Sequence, residues 1–216
     1  MKPYIHIHYA YVPQVKAHFS LEDLLQQLPK NLHEGIMRYV FDKDRYVHAL
    51  GKYLLQQQLI FFGIPPERLS QLTKTTYGKP VLPGKPFYFN ISHSHELVAC
   101  GATLDGKLGL DVEHQRSITM NDFESYFTKP EWQKIKEDDT LHTFFEIWTK
   151  KESVMKADGR GMYLSLDTID TLQNPVRLTD ASKTCWFLQE LHLGTAYKAC
   201  LCTIEPAREV VLKKMI

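Results

Sequence analysis

The segment from Thr140 to Ala157 constrains the fold more than any other part of the chain. Phe144, Phe145, Ile147, Trp148, Val154 and Met155 recur at the spacing that puts them on one buried stripe of a helix. Asp139 or Thr140 can cap its start, and Gly159 or Gly161 can end it. Glu152 and Lys156 stand at i, i+4, so a carboxylate and an ammonium rise from one face, with Trp148 a turn earlier on that face. For an arbitrary helix the plain interpretation is a surface ion pair beside a core tryptophan.

A second stretch upstream, Leu108-Gly109-Leu110-Asp111-Val112-Glu113-His114, alternates as a strand does. Leu110 and Val112 are expected to face the core, which puts Asp111 and Glu113 side by side on an exposed face. Gly109 shares that face and is expected to leave room there for a ligand. Two carboxylates at i, i+2 repel unless a cation, a proton or water separates them. A third carboxylate from Glu152 on a nearby helix would complete an oxygen-lined site suited to Mg²⁺, an ion that combines a few carboxylates with water and phosphate oxygens. The alternative is an ordinary acidic strand face, and either stretch alone favours that alternative.

Taken together, the two stretches resemble the 4′-phosphopantetheinyl transferases, in the double-length class that activates surfactin synthetase. The resemblance rests on Gly109 to Glu113, then on Trp148-Thr149-Lys150-Lys151-Glu152-Ser153 about forty residues later with Lys156 four after Glu152. It also takes in Tyr77-Gly78-Lys79-Pro80 and Phe89-Asn90-Ile91-Ser92-His93-Ser94, and so spans about residues 77 to 161. It implies an α+β fold of two similar halves related by a pseudo-twofold axis, each a long helix packed on a mainly antiparallel sheet. The halves are expected at 1–106 and 107–216, with coenzyme A bound between them and the chain a monomer.

Elsewhere, Tyr4 to Val12 alternates as a strand with His6 and His8 on one face, a pair expected to be solvent-facing or hydrogen-bonded rather than to bind zinc. Ser20 can cap a short helix ending near Pro29, and a longer helix is expected from Asp42 to Phe62. Strands are expected around Tyr163–Leu166, Trp186–Leu193 and Ala196–Ile204. Ala99–Leu104 and Ala199–Ile204 echo one another about a hundred residues apart, which agrees with a duplicated plan. A formal net charge of +1 gives no overall reason to expect nucleic acid as a partner. Cys100, Cys185, Cys200 and Cys202 lack paired zinc spacing and read as reduced core residues. No apolar run approaches membrane-spanning length, so a cytoplasmic protein is expected.

The resemblance implies transfer of the phosphopantetheine arm of coenzyme A to a serine of an apo acyl- or peptidyl-carrier protein, with 3′,5′-ADP leaving. Asp111, Glu113 and Glu152 would hold Mg²⁺, and Lys156, with Lys151, would stabilise the leaving group. Lys79, Pro80, Ser92, His93 and Arg45 would contact coenzyme A. Val47-His48 stands where relatives often carry an arginine-containing pair, and Lys52 lies nearby. The base is Glu152, a metal-bound water or Glu131. Tyr126 to Trp132 resembles a carrier-facing segment, although Phe127 and Trp132 equally suit a core. Two rival readings remain: a metal-dependent nucleotide phosphohydrolase, and a non-catalytic module that binds coenzyme A and carriers.

Overall fold

The structure is a computed structural model that describes residues 4–84, 86–178 and 184–215. The first half runs β1 (Tyr4–Tyr11), α1 (Val12–Lys16), α2 (Leu21–Gln27), α3 (His33–Met37), α4 (Asp42–Phe61), β2 (Thr73–Lys74), β3 (Pro80–Val81), β4 (Tyr88–Ser94) and β5 (Leu97–Thr103). The second runs β6 (Leu108–His114), α5 (Lys129–Lys136), α6 (His142–Asp158), β7 (Val176–Arg177), β8 (Cys185–Leu191), β9 (Tyr197–Thr203) and β10 (Glu209–Lys214). Two four-stranded sheets result, ordered β10-β1-β5-β4 and β6-β9-β8-β7, with β2 and β3 as a separate ribbon. All pairs are antiparallel except β1 with β10, where the end of the chain returns to the first sheet.

The plan repeats: a strand, a long helix, then two strands of which the last lies beside the first. β5 and β9 occupy equivalent places, and they carry the sequence echo seen at Ala99 and Ala199. Period-two alternation explains how the halves stack. Ile5, Ile7, Leu97 and Ala99 from the first sheet meet Leu108, Leu110, Val112, Ala199 and Leu201 from the second in one buried cluster. The opposite face of the first sheet, with Val98, Cys100 and Ala102, packs on Leu50, Leu54 and Leu55 of α4. Behind the second sheet, Cys202 packs on Val154 and Ala157 of α6.

β6 and α6 approach unusually closely, and Gly109 is the reason. A Cβ there would lie 2.0 Å from the Ser153 carbonyl oxygen and 2.4 Å from the Ala157 nitrogen. The space expected for a ligand is therefore filled by helix backbone, and the face of β6 that carries Asp111 and Glu113 is covered rather than exposed.

Local signals account for most element ends. Ser20 and Asp23 form a capping box on α2, as Thr128 and Glu131 do on α5. α6 ends at Gly159, whose φ of 91° suits the left-handed conformation. Its start differs from expectation: Leu141 is at the cap, while the Asp138 carboxylate accepts from the N–H groups of Thr140 and Thr143. The strand expected around Tyr163–Leu166 is absent among the described residues, replaced by short 3₁₀ turns at Gly161–Tyr163 and Leu166–Thr168. The carbonyls of Leu166 and Ile169 instead accept from the Lys151 ammonium. Cys100, Cys200 and Cys202 are buried free thiols; His6 and His8 are both buried, and His6 is hydrogen-bonded to Gln58, the second of the two arrangements expected for the pair. Among the described residues no helix is long and apolar enough to cross a membrane.

Gly109→Ala should lower stability by about 3 kcal/mol or more, because backbone on both sides must move to admit the methyl group. Thermal unfolding checks this, and a melting temperature equal to wild type would show that β6 and α6 are not in such contact.

Candidate active site

β4 and β6 run side by side in the same direction, one from each sheet, without sharing a backbone ladder. Side chains take the ladder's place. The N–H groups of Leu110, Val112 and His114 donate to Asn90 Oδ1 (2.8 Å), Ser92 Oγ (3.2 Å) and Ser94 Oγ (3.0 Å). Three polar residues at i, i+2 and i+4 on one strand thus satisfy three alternate amides of the other. The intervening residues of β6, Asp111 and Glu113, turn toward α6.

The hydroxyls reach those carboxylates too. Ser92 Oγ donates to Asp111 Oδ1 (3.1 Å), and Ser94 Oγ donates to Glu113 Oε2 (2.9 Å). From α6, Lys156 Nζ reaches Asp111 Oδ1 at 2.5 Å and donates to Ser92 Oγ at 3.1 Å. Ser92 therefore makes one donation and accepts two, which exhausts a hydroxyl. It was expected to contact a coenzyme A phosphate; in this arrangement its oxygen is committed to the protein.

Electrostatics mark the site as strained by like charge. Burial, then Asp111, pushes the Glu152 carboxyl up to about 7, Lys156 opposing and Glu113 adding to the effect. Glu113 is raised by burial and by Asp111, against its bond from Ser94. Burial lowers the Lys156 ammonium, but Asp111 and the other carboxylates outweigh it and hold the group above its usual value. Asp111 Oδ2 is buried with no hydrogen-bond partner. Among the described residues no three Asp, Glu, His or Cys side chains already converge as around a bound metal. The donor chemistry nevertheless fits a hard divalent cation: three carboxylates face one ammonium, and one buried oxygen is without a partner.

A small cleft of about 180 Å³ lies on the other side of β4, lined by His48, Lys52, Pro80, Asn90 and His93 among others. His93 meets His48 edge to face at 5.3 Å, and His48 stacks on Tyr39 at 3.8 Å. Burial lowers His93, with Lys156 adding to the effect.

The structure thus brings together Asp111, Glu113, Glu152, Lys156 and Ser92, with His93 and Pro80 at the adjoining cleft. Four other expected residues are held elsewhere. Lys151 is wholly buried, ion-paired to Glu131 at 2.6 Å and bonded to two carbonyls, so it faces away from the carboxylates. Glu131, weighed as a base, is equally buried and also accepts from Thr171. Arg45 bonds to Asp42 and the Tyr39 carbonyl. Lys79 Nζ donates to the carbonyls of Lys156 (2.6 Å), Ala157 and Leu108 (both 3.2 Å), which ties the first half to the end of α6. Phe127 and Trp132 are core, as the alternative had it.

Sequence reasoning missed Asn90 and Ser94. Their signal was the polar alternation Asn90-x-Ser92-x-Ser94, matched twenty residues later by Leu110-x-Val112-x-His114.

Comparison with known proteins agrees over both halves. Residues 107–202 match the family described as the 4′-phosphopantetheinyl transferase superfamily, and residues 15–105 match "4′-phosphopantetheinyl transferase, N-terminal". The 4′-phosphopantetheinyl transferase gsp of Aneurinibacillus migulanus is 34% identical over 188 residues, covering 84% of this chain and 78% of that protein. Sfp of Bacillus subtilis is 28% identical, covering 80% of each chain. Psf-1 of Bacillus pumilus is 30% identical, covering 79% of this chain and 75% of its own.

The Glu152 shift predicts a pH dependence in cation-free buffer. The unfolded chain titrates near 4.5 and the folded protein near 7, so the folded state holds a proton that the unfolded one releases between those values. Stability should then fall as pH rises through this window, by on the order of 2 kcal/mol. Glu152→Gln should flatten the slope. Denaturant titrations from pH 4.5 to 7.5 would read it, and a wild-type slope unchanged by the substitution would contradict the cause.

Proposed function

The chain belongs to the 4′-phosphopantetheinyl transferases, and from that membership we propose how its site performs the reaction. The enzyme moves the 4′-phosphopantetheine arm of coenzyme A onto a serine of an apo acyl- or peptidyl-carrier protein. The serine oxygen bonds to the phosphorus that carries pantetheine, the pyrophosphate bridge breaks, and 3′,5′-ADP departs with the electron pair. The observation that carries this reading is the ion pair of Lys156 with Asp111 at the seam between the halves, with Glu113 and Glu152 near enough to feel its charges.

We assign Mg²⁺ to Asp111, Glu113 and Glu152, where it would offset the charge on the pyrophosphate. Lys156 has a complementary task. Its ammonium stands within the same cluster and offers a positive charge to the leaving phosphate, where charge grows in the transition state. Glu152, or a water at the same cluster, would take the serine proton. Glu131 is committed to Lys151 and does not compete for this role. His93 faces the cleft beside Pro80 and Lys52, where phosphate contacts from the first half would come together. Lys79 and Arg45, both expected as phosphate contacts, would have to give up their present carbonyl and carboxylate partners to serve. The two halves form the site within one chain, and a cytoplasmic monomer is the working form we propose.

The test is to mix the protein with coenzyme A, Mg²⁺ and a panel of apo-carriers, then weigh the carriers. A mass gain of one phosphopantetheine on a carrier serine is expected. Phosphate release with no carrier present would instead make the protein a hydrolase, and coenzyme A binding without either outcome would make it a docking module.

Two substitutions separate the roles. Lys156→Ala should lower kcat by about a hundredfold with a smaller change in coenzyme A affinity, as for a group acting mainly in the transition state. His93→Ala should chiefly weaken coenzyme A binding. Steady-state kinetics with calorimetry reads both, and a Lys156 variant changed only in KM would reduce that residue to a ground-state contact.

A further inference from the structure

Glu113 is half-buried at the seam, and the protein holds it by one oxygen only. A glutamate in that position has three side-chain torsions to fix before it can serve as a ligand, and each freely turning bond costs affinity. Its neighbours are few. Arg116 stands 3.7 Å from Oε2, beyond hydrogen-bond distance, and is more than half exposed. Ser94 Oγ donates to the same oxygen at 2.9 Å. Both contacts fall on Oε2, and Oε1 makes no hydrogen bond among the described residues.

Ser94 is itself held in place. Its oxygen accepts the His114 N–H at 3.0 Å, so the remaining hydroxyl proton is directed to Glu113. Two further contacts fix this end of the seam. His95 adopts φ 52°, the left-handed region, at the turn from β4 to β5, and its ring stacks on that of His114 at 4.5 Å. Tyr197 also packs on His114, edge to face at 5.1 Å. The imidazole of His114 thus touches two rings, and its backbone lies in the paired register of β6 with β9, at the residue whose amide holds Ser94.

We propose that Ser94 is a positioning residue for the cation site: anchored by the His114 amide, it holds the Glu113 carboxylate by Oε2 and leaves Oε1 for the cation. The inference rests on the assignment of Glu113 as a ligand and goes beyond it, since Ser94 touches neither the cation nor substrate. It also explains a feature of the sequence: a residue at 94 must both accept and donate, which serine and threonine do and alanine does not. Residues that orient metal ligands in this way typically contribute about tenfold to a hundredfold in metal affinity.

The experiment is calorimetric titration of Mg²⁺, alone and with coenzyme A present, into wild type, Ser94→Ala and Ser94→Thr. Ser94→Ala should bind Mg²⁺ about tenfold more weakly, while Ser94→Thr, which keeps the hydroxyl, should bind within about threefold of wild type. In the transfer reaction, Ser94→Ala should raise the Mg²⁺ concentration for half-maximal rate by the same factor, with a smaller change in the KM for coenzyme A. Unchanged Mg²⁺ affinity in Ser94→Ala would overturn the proposal. So would a threonine variant that folds like wild type yet binds Mg²⁺ as weakly as the alanine variant. Calorimetry needs no carrier protein, so a failure of the transfer assay alone would count against the proposed function and leave the role of Ser94 standing.

Discussion

The rest of this structure depends on three hydrogen bonds that join β4 to β6. Two sheet edges meet where the halves come together, and an edge left with unpaired N–H groups in a buried seam is costly. Asn90, Ser92 and Ser94 solve this with side-chain oxygens instead of a backbone ladder. A backbone ladder would have joined the sheets into one. The side-chain version lets them stack face to face while β4 and β6 stay in register. The same hydroxyls extend to Asp111 and Glu113, so the contacts that join the halves also hold the carboxylates. The same contacts therefore serve both the fold and the candidate site.

α6 shows how burial and partners divide like residues between roles. Lys151 and Lys156 are five positions apart and emerge from different faces. Lys151 points into the apolar layer behind α5, where it meets Glu131, two carbonyls and the Phe127 ring. A buried charge so fully matched rarely adds net stability, but removing one partner would leave the other stranded. Lys156 meets Asp111 and a serine hydroxyl at the seam, surrounded by an excess of negative charge. One lysine is therefore locked among matched partners, and the other stands among an excess of acids. Lys79 adds a third arrangement: its ammonium crosses from the first half and caps the carbonyls at the end of α6.

Much of this was legible in the sequence, for definable reasons. The apolar stripe and Gly159 defined α6, alternation defined β6, and the echo between Ala99 and Ala199 fell on equivalent strands. The strand motif and the helix motif that order and spacing had put together do meet, through the ion pair of Asp111 with Lys156. What escaped depended on contacts between distant segments. No local pattern reveals that Gly109 makes room for the helix rather than for a ligand, because the answer lies in Ser153 and Ala157. Lys151 sits beside a catalytic-looking glutamate, yet its direction is set by Glu131 on a different helix. At the end of the strand expected near Tyr163, the Leu166 carbonyl is likewise taken by that lysine. Ser94 was visible only as one of several serines until β6 was laid alongside.

The central claim is that the carboxylates at this seam form the cation site. The most direct measurement is to titrate Mn²⁺, as a paramagnetic stand-in for Mg²⁺, into isotope-labelled protein with coenzyme A and follow backbone amide signals by NMR. The account predicts that Asp111, Glu113 and Glu152 broaden first, followed by their neighbours on β4 and α6. Broadening centred elsewhere, for example on the buried His6–His8 pair, with these three residues unaffected, would contradict it.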